Sequence, residues 1–294
     1  MLTRNKIFSD GYDPAVFKCF VALPLPNEYI GSFYRRNSEL KGFVNLRGNE
    51  FVLRTEVVHC RNRHAVEYLE SLIPGLRLME RHTLYTLACN LGNARRRLAP
   101  ITPHRHWQVC FECVISDYEE FGTPYIHRQH MLKGVVSCYR HNVALALTCM
   151  VCQTHILSHP INKLLSCAET ISSLSNLPRP SKVDHAYAKF AHDLTVTELG
   201  EIYYPHSRSM IGAELSAMGF KSGGAIDAVG INRAMKDLFA DSIYSGVKLS
   251  FSNFGLSSLA TWVKLAFWIY RTADRYFEDA SSLYDSRAVR TLSS

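Results

Sequence analysis

The chain has 294 residues, 47% of them apolar and 20% charged, with a formal net charge of +7 and a pI near 8.9. That composition excludes an intrinsically disordered chain and allows two or three compact units, each with a core. The basic balance tolerates a polyanionic partner without demanding one. The most apolar stretch, Leu256 to Tyr270, contains Lys264 and is too short for a bilayer, so no membrane span is expected.

Met1 to Asp10 is polar and has no apolar run ending in a small-residue cleavage site, so a cytoplasmic protein is expected. The prolines of Leu23-Pro24-Leu25-Pro26 stop regular structure, and Asn27 is placed to cap a helix starting near Glu28. Tyr29, Ile30, Phe33 and Tyr34 give that helix an apolar face, Arg35 and Arg36 are expected to turn outward, and Gly42 to end it. Ala65, Tyr68, Leu69 and Leu72 predict a second helix over 61–75, closed by Pro74-Gly75. A third is predicted over 76–92, carrying His82-Thr83-Leu84. Three short helices fit a small helical domain of helix-turn-helix type over residues 1–98. Arg95, Arg96, Arg97, His104, Arg105 and His106 form a basic boundary suited to phosphate contact, or to plain solvation.

Six of the nine cysteines fall between residues 110 and 167, which marks residues 99–170 as a metal module. Cys110-x2-Cys113 is followed, after 24 residues, by Cys138-x2-His141. A Cys-x2-Cys pair turns both sulfurs toward one point, and a second knuckle supplies the other two corners of a tetrahedron. Chance gives roughly 0.3 such Cys pairs at this cysteine content; two are present, the second being Cys149-x2-Cys152. Thiolate and imidazole are ligands that zinc prefers. Four protein ligands make a closed, structural site whose metal contributes about 10 kcal/mol to folding. For a second zinc on Cys149 and Cys152, the nearest further ligands are His155, His159 and Cys167, and no fourth knuckle is present. His127 and His130 have no Cys-x2 partner and read as surface or packing residues.

Residues 174–182 read as a linker. The remainder, residues 171–294, is expected to be helical at about 185–200, 206–219, 228–241 and 256–280, with Gly223-Gly224 between the second and third helices. No internal repeat or low-complexity tract stands out. Enzyme signatures are missing: there is no phosphate-binding P-loop, no Gly-x-Ser-x-Gly elbow and no zinc-deaminase pattern. Asp184, His185, His192 and Asp193 share one helical stretch but lack the offsets of an acid–base or metal site.

Four runs together resemble the TniQ/TnsD family of transposon target-selection proteins. They are Trp107-Gln-Val-Cys110-Phe-Glu-Cys113, Tyr125-Ile-His-Arg-Gln-His130, Cys138-Tyr-Arg-His141-Asn-Val-Ala-Leu145 and Cys149-Met-Val-Cys152. Leu23-Pro-Leu-Pro-Asn-Glu28-Tyr-Ile-Gly-Ser32-Phe-Tyr-Arg35 is similar to the family's opening segment, and His82-Thr83 to its His-Thr element. Downstream, Leu215, Gly219-Phe220, Leu238-Phe239, Trp262 and Arg271 are similar to the helical domain that follows the ribbon. The resemblance covers about residues 20–275; the chain is shorter than long TnsD members, and its second metal set looks incomplete.

The resemblance implies a mainly α protein with a small zinc-ribbon module (helix plus short strands). It implies an adaptor and not an enzyme, linking a target-recognition element to the AAA+ ATPase TnsC and so to the transposase. That element is a CRISPR RNA-guided Cascade-type complex, double-stranded target DNA, or both. In CRISPR-linked members the adaptor can be a homodimer on Cascade, at the nucleoid when on target. Arg95, Arg96, Arg97, Arg105, Arg128, Lys133 and Arg140 are the expected nucleic-acid or partner contacts. The rival expectations are a TnsD-type protein reading an attachment site directly, and a zinc-dependent enzyme.

Overall fold

The computed structural model describes residues 22–40, 75, 77–92, 107–172, 179–197, 207–222, 225–240, 242, 251–252, 255–256 and 259–292. Its helices are α1 (Ile30–Leu40), α2 (Leu78–His82), α3 (Tyr85–Asn90), α4 (Phe111–Phe121), α5 (Leu164–Ser172), α6 (Lys182–Val196), α7 (Ser207–Ala217), α8 (Ala228–Leu238), α9 (Leu259–Tyr270) and α10 (Ala273–Leu292). Two antiparallel two-residue pairs, β1 (Lys221–Ser222) with β2 (Ala225–Ile226) and β3 (Phe251–Ser252) with β4 (Gly255–Leu256), are the named strands among the described residues. The protein is mainly helical, as expected.

Local chemistry explains the helix ends. Ser181 and Asp184 form a reciprocal capping box at the start of α6, so the end of the expected linker is already helix entry. Asp227 caps α8 by accepting from the Gly230 N–H at 2.8 Å. The helix expected over 76–92 is two helices, because the Thr83 hydroxyl donates to the Met79 carbonyl and accepts from the Tyr85 N–H. The stretch expected as one helix over 256–280 divides at Arg271, which takes a left-handed φ of 64° between α9 and α10. The helix predicted over 61–75, the Gly42 terminus and the basic residues Arg95, Arg96, Arg97, His104, Arg105 and His106 lie outside the described residues, apart from Gly75.

One hydrophobic cluster runs through all three expected segments, from Tyr29 and Leu87 through Trp107 and Leu164 to Phe190 and Trp262. Helix α9 is buried on nearly every face, with only Ala260 partly exposed, as a central helix must be. Its Lys264 ammonium sits over the Phe239 ring at 4.8 Å, and burial pulls its pKa down to about 8. Polar ties reinforce the junction. The Asn90 side-chain amide donates to the Leu194 and Thr197 carbonyls, both at 2.8 Å, and the Tyr276 hydroxyl donates to the Asn90 carbonyl.

Two sequence expectations for α1 are overturned. Asn27 does not cap the helix: it holds a left-handed φ of 56°, its Oδ1 accepts from Arg128 Nε at 3.1 Å, and α1 begins at Ile30. Arg35 and Arg36 are buried, at 8% and 4% exposure, because each finds a full set of acceptors inside. Arg36 forks onto Glu28 at 3.0 and 2.7 Å and donates to the Leu23 carbonyl at 2.7 Å. Glu28 also accepts from the Leu25 N–H and the Ser32 hydroxyl. Arg35 lies over the Trp107 ring at 4.3 Å and donates to the carbonyls of Ile156, Leu157 and His159. Gly31 permits this packing: a Cβ there would stand 2.7 Å from both the Trp107 and Tyr29 rings.

Candidate metal centres

The first centre begins at a helix start. Cys110 is the N-cap of α4, and its sulfur accepts from the Cys113 N–H at 3.4 Å. This turn brings the Cys110 and Cys113 sulfurs to one place at the helix N-terminus, where the partial positive charge favours thiolates. Opposite them, Cys138 and Asn142 build the second knuckle. The Asn142 N–H donates to the Cys138 carbonyl at 3.0 Å, and the Cys138 N–H to the Val143 carbonyl at 2.9 Å.

His141 Nδ1 stands 3.5, 3.3 and 3.7 Å from the sulfurs of Cys110, Cys113 and Cys138, and the last two sulfurs are 3.6 Å apart. A tetrahedral ion with zinc-like bond lengths requires edges of about 3.6 Å (S to N) and about 3.8 Å (S to S). The geometry therefore fits a four-coordinate metal and brings together all four residues expected for the first site.

The sulfurs divide their charge unevenly. Hydrogen bonds from Cys110 and Cys113 hold the Cys138 thiol below its ordinary pKa, while its contacts with Cys110 and then Cys138, together with burial, push Cys113 above it. The bond to Cys138 raises His141. A divalent cation resolves such crowding by replacing the thiol protons. Behind the site, His130 is fully buried, which lowers its pKa. His127 is buried too, with Nε2 paired to Asp117 at 2.8 Å and its ring stacked on Tyr125. Both histidines are packing residues and not surface ones.

The second centre joins Cys149, Cys152, His159 and Cys167, whose ligand atoms all lie within 4.8 Å of one another. Sequence reasoning left three candidates beside the Cys pair. His159 and Cys167 enter the cluster, with Cys167 Sγ 3.5 Å from His159 Nε2. His155 does not; it is exposed and its Nδ1 accepts from the Leu157 N–H at 3.1 Å. The missing fourth knuckle is replaced by His159, which stands between two 3-10 turns (Ile156–Ser158 and Ile161–Lys163), and by Cys167 on α5. His159 Nδ1 donates to the Pro160 carbonyl at 2.8 Å, which leaves Nε2 with its lone pair for a metal. The Thr154 hydroxyl lowers the Cys152 thiol to about 6, and burial pushes Cys167 up to about 12.

The two knuckles repeat one another, although no repeat stands out in the sequence. Gln153 donates to the Cys149 carbonyl at 3.0 Å and Cys149 to the Thr154 carbonyl at 2.9 Å, the same pair of bonds as around Cys138. Asn142 and Gln153 hold left-handed φ values of 53° and 56°. Single β-bridges flank both turns, Ser137 with Ala144 and Thr148 with His155. Only the first Cys is common to both, and the rest of the likeness is backbone geometry, which residue identity does not report.

The motifs singled out in the sequence meet around these centres. His82 Nδ1 donates to the Glu28 carbonyl at 2.8 Å, and Glu28 bridges to His127. Helix α1 clamps the segment carrying His159 from both sides. Arg35 holds three of its carbonyls, and the Glu39 carboxylate accepts from the Ile161 and Asn162 N–H groups at 2.8 and 2.9 Å.

Of the expected nucleic-acid contacts, Lys133 and Arg140 are exposed. Arg128 is a correction: it is 4% exposed and bonded to Asn27 and to the carbonyls of Glu80 and Thr83, so it is structural. Asp184 and His192 are engaged separately, Asp184 in the α6 cap and His192 in a 3.5 Å stack with Tyr139. No helix among the described residues is long and apolar enough to cross a membrane. Comparison with protein-family models and with curated proteins finds no match.

Proposed function

We propose that the chain is a zinc-scaffolded adaptor of the TniQ/TnsD type. It couples a target-recognition element, a Cascade-type guided complex or target DNA, to TnsC and so to the transposase. The observation that carries this reading is the convergence of the resemblance-bearing motifs. The Leu23–Arg35 segment, His82-Thr83 and His127-Arg128 are far apart in sequence, yet hydrogen bonds and a β-bridge through Asn27 and Glu28 join them. Zinc fills both Cys3His clusters in this reading, and residues 107–170 are a ribbon module in which single β-bridges stand for strand ladders.

Each cluster offers four protein ligands, the full complement of a structural site, which favours a scaffold over a zinc enzyme with an open position. A tagged copy purified with the products of its neighbouring genes tests the adaptor. TnsC, with or without an RNA-guided complex, is expected to co-purify, and capture of neither overturns the reading. Exposed Lys133 and Arg140 on the metal module favour the second reading, direct DNA recognition. That version requires affinity for a specific duplex that falls steeply with salt in the isolated protein.

A further inference from the structure

The two centres differ in how they meet solvent. In the first, the sulfurs of Cys110, Cys113 and Cys138 belong to residues no more than 1% exposed, and at the turn after Cys138 the half-buried Tyr139 stacks on His192 while Arg140 is exposed. In the second, Cys149 is fully buried but Cys152 is exposed, and the tip residues Met150 and Val151 stand open at 46% and 39% exposure. Where the Cys138 knuckle ends in His141, which cannot form a disulfide, the Cys149 knuckle ends in a thiol.

We propose that Cys152 is an oxidant-sensitive modification site. A hydroperoxide oxidises it, it pairs with Cys149, and the second centre releases its metal while the first stays loaded. This rests on the metal reading of the second cluster.

The Cys152 thiolate attacks the O–O bond of hydrogen peroxide; the S–O bond forms and hydroxide leaves, taking a proton to become water. The Cys149 thiolate then attacks the Cys152 sulfur; the S–S bond forms, the S–O bond breaks and a second hydroxide leaves as water. Two electrons pass from the two thiolates to the peroxide, and two protons come from solvent. The two sulfurs already lie within 4.8 Å of each other, and a Cys-x2-Cys turn needs little movement to bring them to bonding distance. Only His159 and Cys167 then remain as ligands, too few to hold the ion. The carbonyl of His159 is one of the acceptors of Arg35, so release also loosens the grip of α1 on this segment.

The test uses the full chain, loaded with zinc and titrated with hydrogen peroxide in the presence of a chromogenic zinc chelator, with thiol alkylation and peptide mass mapping. One zinc equivalent is expected to leave about tenfold faster than the other, together with a Cys149–Cys152 disulfide. Release of both equivalents at one rate, or fast release without that disulfide, overturns the inference. The variant Cys152→His copies the ligand type of the Cys138–His141 knuckle, and is expected to hold two zincs and lose the fast phase. A fast phase surviving in Cys152→His overturns the inference, and the wild-type mapping decides alone where that variant fails to fold. A preparation with one zinc per chain removes the metal reading of the second centre and this inference with it. Two zincs released in parallel remove the inference alone.

Discussion

Replacing Glu28 by Gln keeps the side-chain shape and removes one charge from a buried pair. The carboxylate accepts four hydrogen bonds. Oε1 takes the Ser32 hydroxyl and Arg36 Nε, and Oε2 takes the Leu25 N–H and Arg36 Nη2. Whichever way the amide turns, its NH2 faces a donor. Ser32 cannot readily reverse, because its oxygen already accepts from the Ile126 N–H at 2.9 Å. Breaking a buried pair from one side costs about 3–5 kcal/mol. Arg36 retains the Leu23 carbonyl, so the low end, about 3 kcal/mol, is expected. That is a large share of a typical stability and corresponds to about 1 M in the urea midpoint. Tryptophan fluorescence during urea unfolding reads it, Trp107 being buried beside α1. The double variant Glu28→Gln with Arg36→Met is expected to be less unstable than the sum of its parts by at least about 1 kcal/mol. A midpoint shift below about 0.3 M, or strict additivity, refutes the reasoning.

Four further outcomes follow from the same geometry. Elemental analysis is expected to find two zincs per chain, with Cys113→Ser keeping only the second; zero zinc in wild type would sink both centres. Gly31→Ala is expected to destabilise by about 1–3 kcal/mol, because the new methyl meets two buried rings, and an unchanged Tm contradicts that. Arg35→Lys loses the fork on the 156–159 carbonyls, so metal affinity at the second centre should drop about tenfold while the first is unchanged, as chelator competition can show. His82 gives a pH dependence. Burial lowers it from 6.5 to about 4, so the folded state holds it neutral while the unfolded state protonates first. Its contribution, of order 3 kcal/mol, is fully present above pH 6.5 and lost as pH falls toward 4. Urea midpoints should therefore fall less steeply with acid in His82→Gln than in wild type, and parallel slopes would falsify the assignment.

The first Cys/His cluster was legible because its members come in two local pairs, and spacing within a knuckle is a property of a few residues. The second was half legible. Cys149 and Cys152 form a pair, whereas His159 and Cys167 are separated by seven residues and brought together by a 3-10 turn and α5. The burial of Arg35 and Arg128 had no local signal, since their charges are matched by carbonyls from distant segments, whereas Arg36 is matched by Glu28 eight residues before it. The stripe Tyr29, Ile30 and Phe33 was readable as core from its period. The division of the 76–92 helix depended on one threonine hydroxyl competing for backbone groups, which propensity does not weigh.

The junction at Asn90 carries a practical consequence for dissecting the chain. Its side chain and carbonyl hold α6 and α10, and the apolar cluster continues across residues 98 and 170, where composition alone suggests cutting. Fragments 1–98 and 99–170 expressed separately would each present part of one shared interior to water. Pieces cut there are expected to aggregate on expression and to recover native character only when co-expressed with the remainder, as a split protein that complements itself.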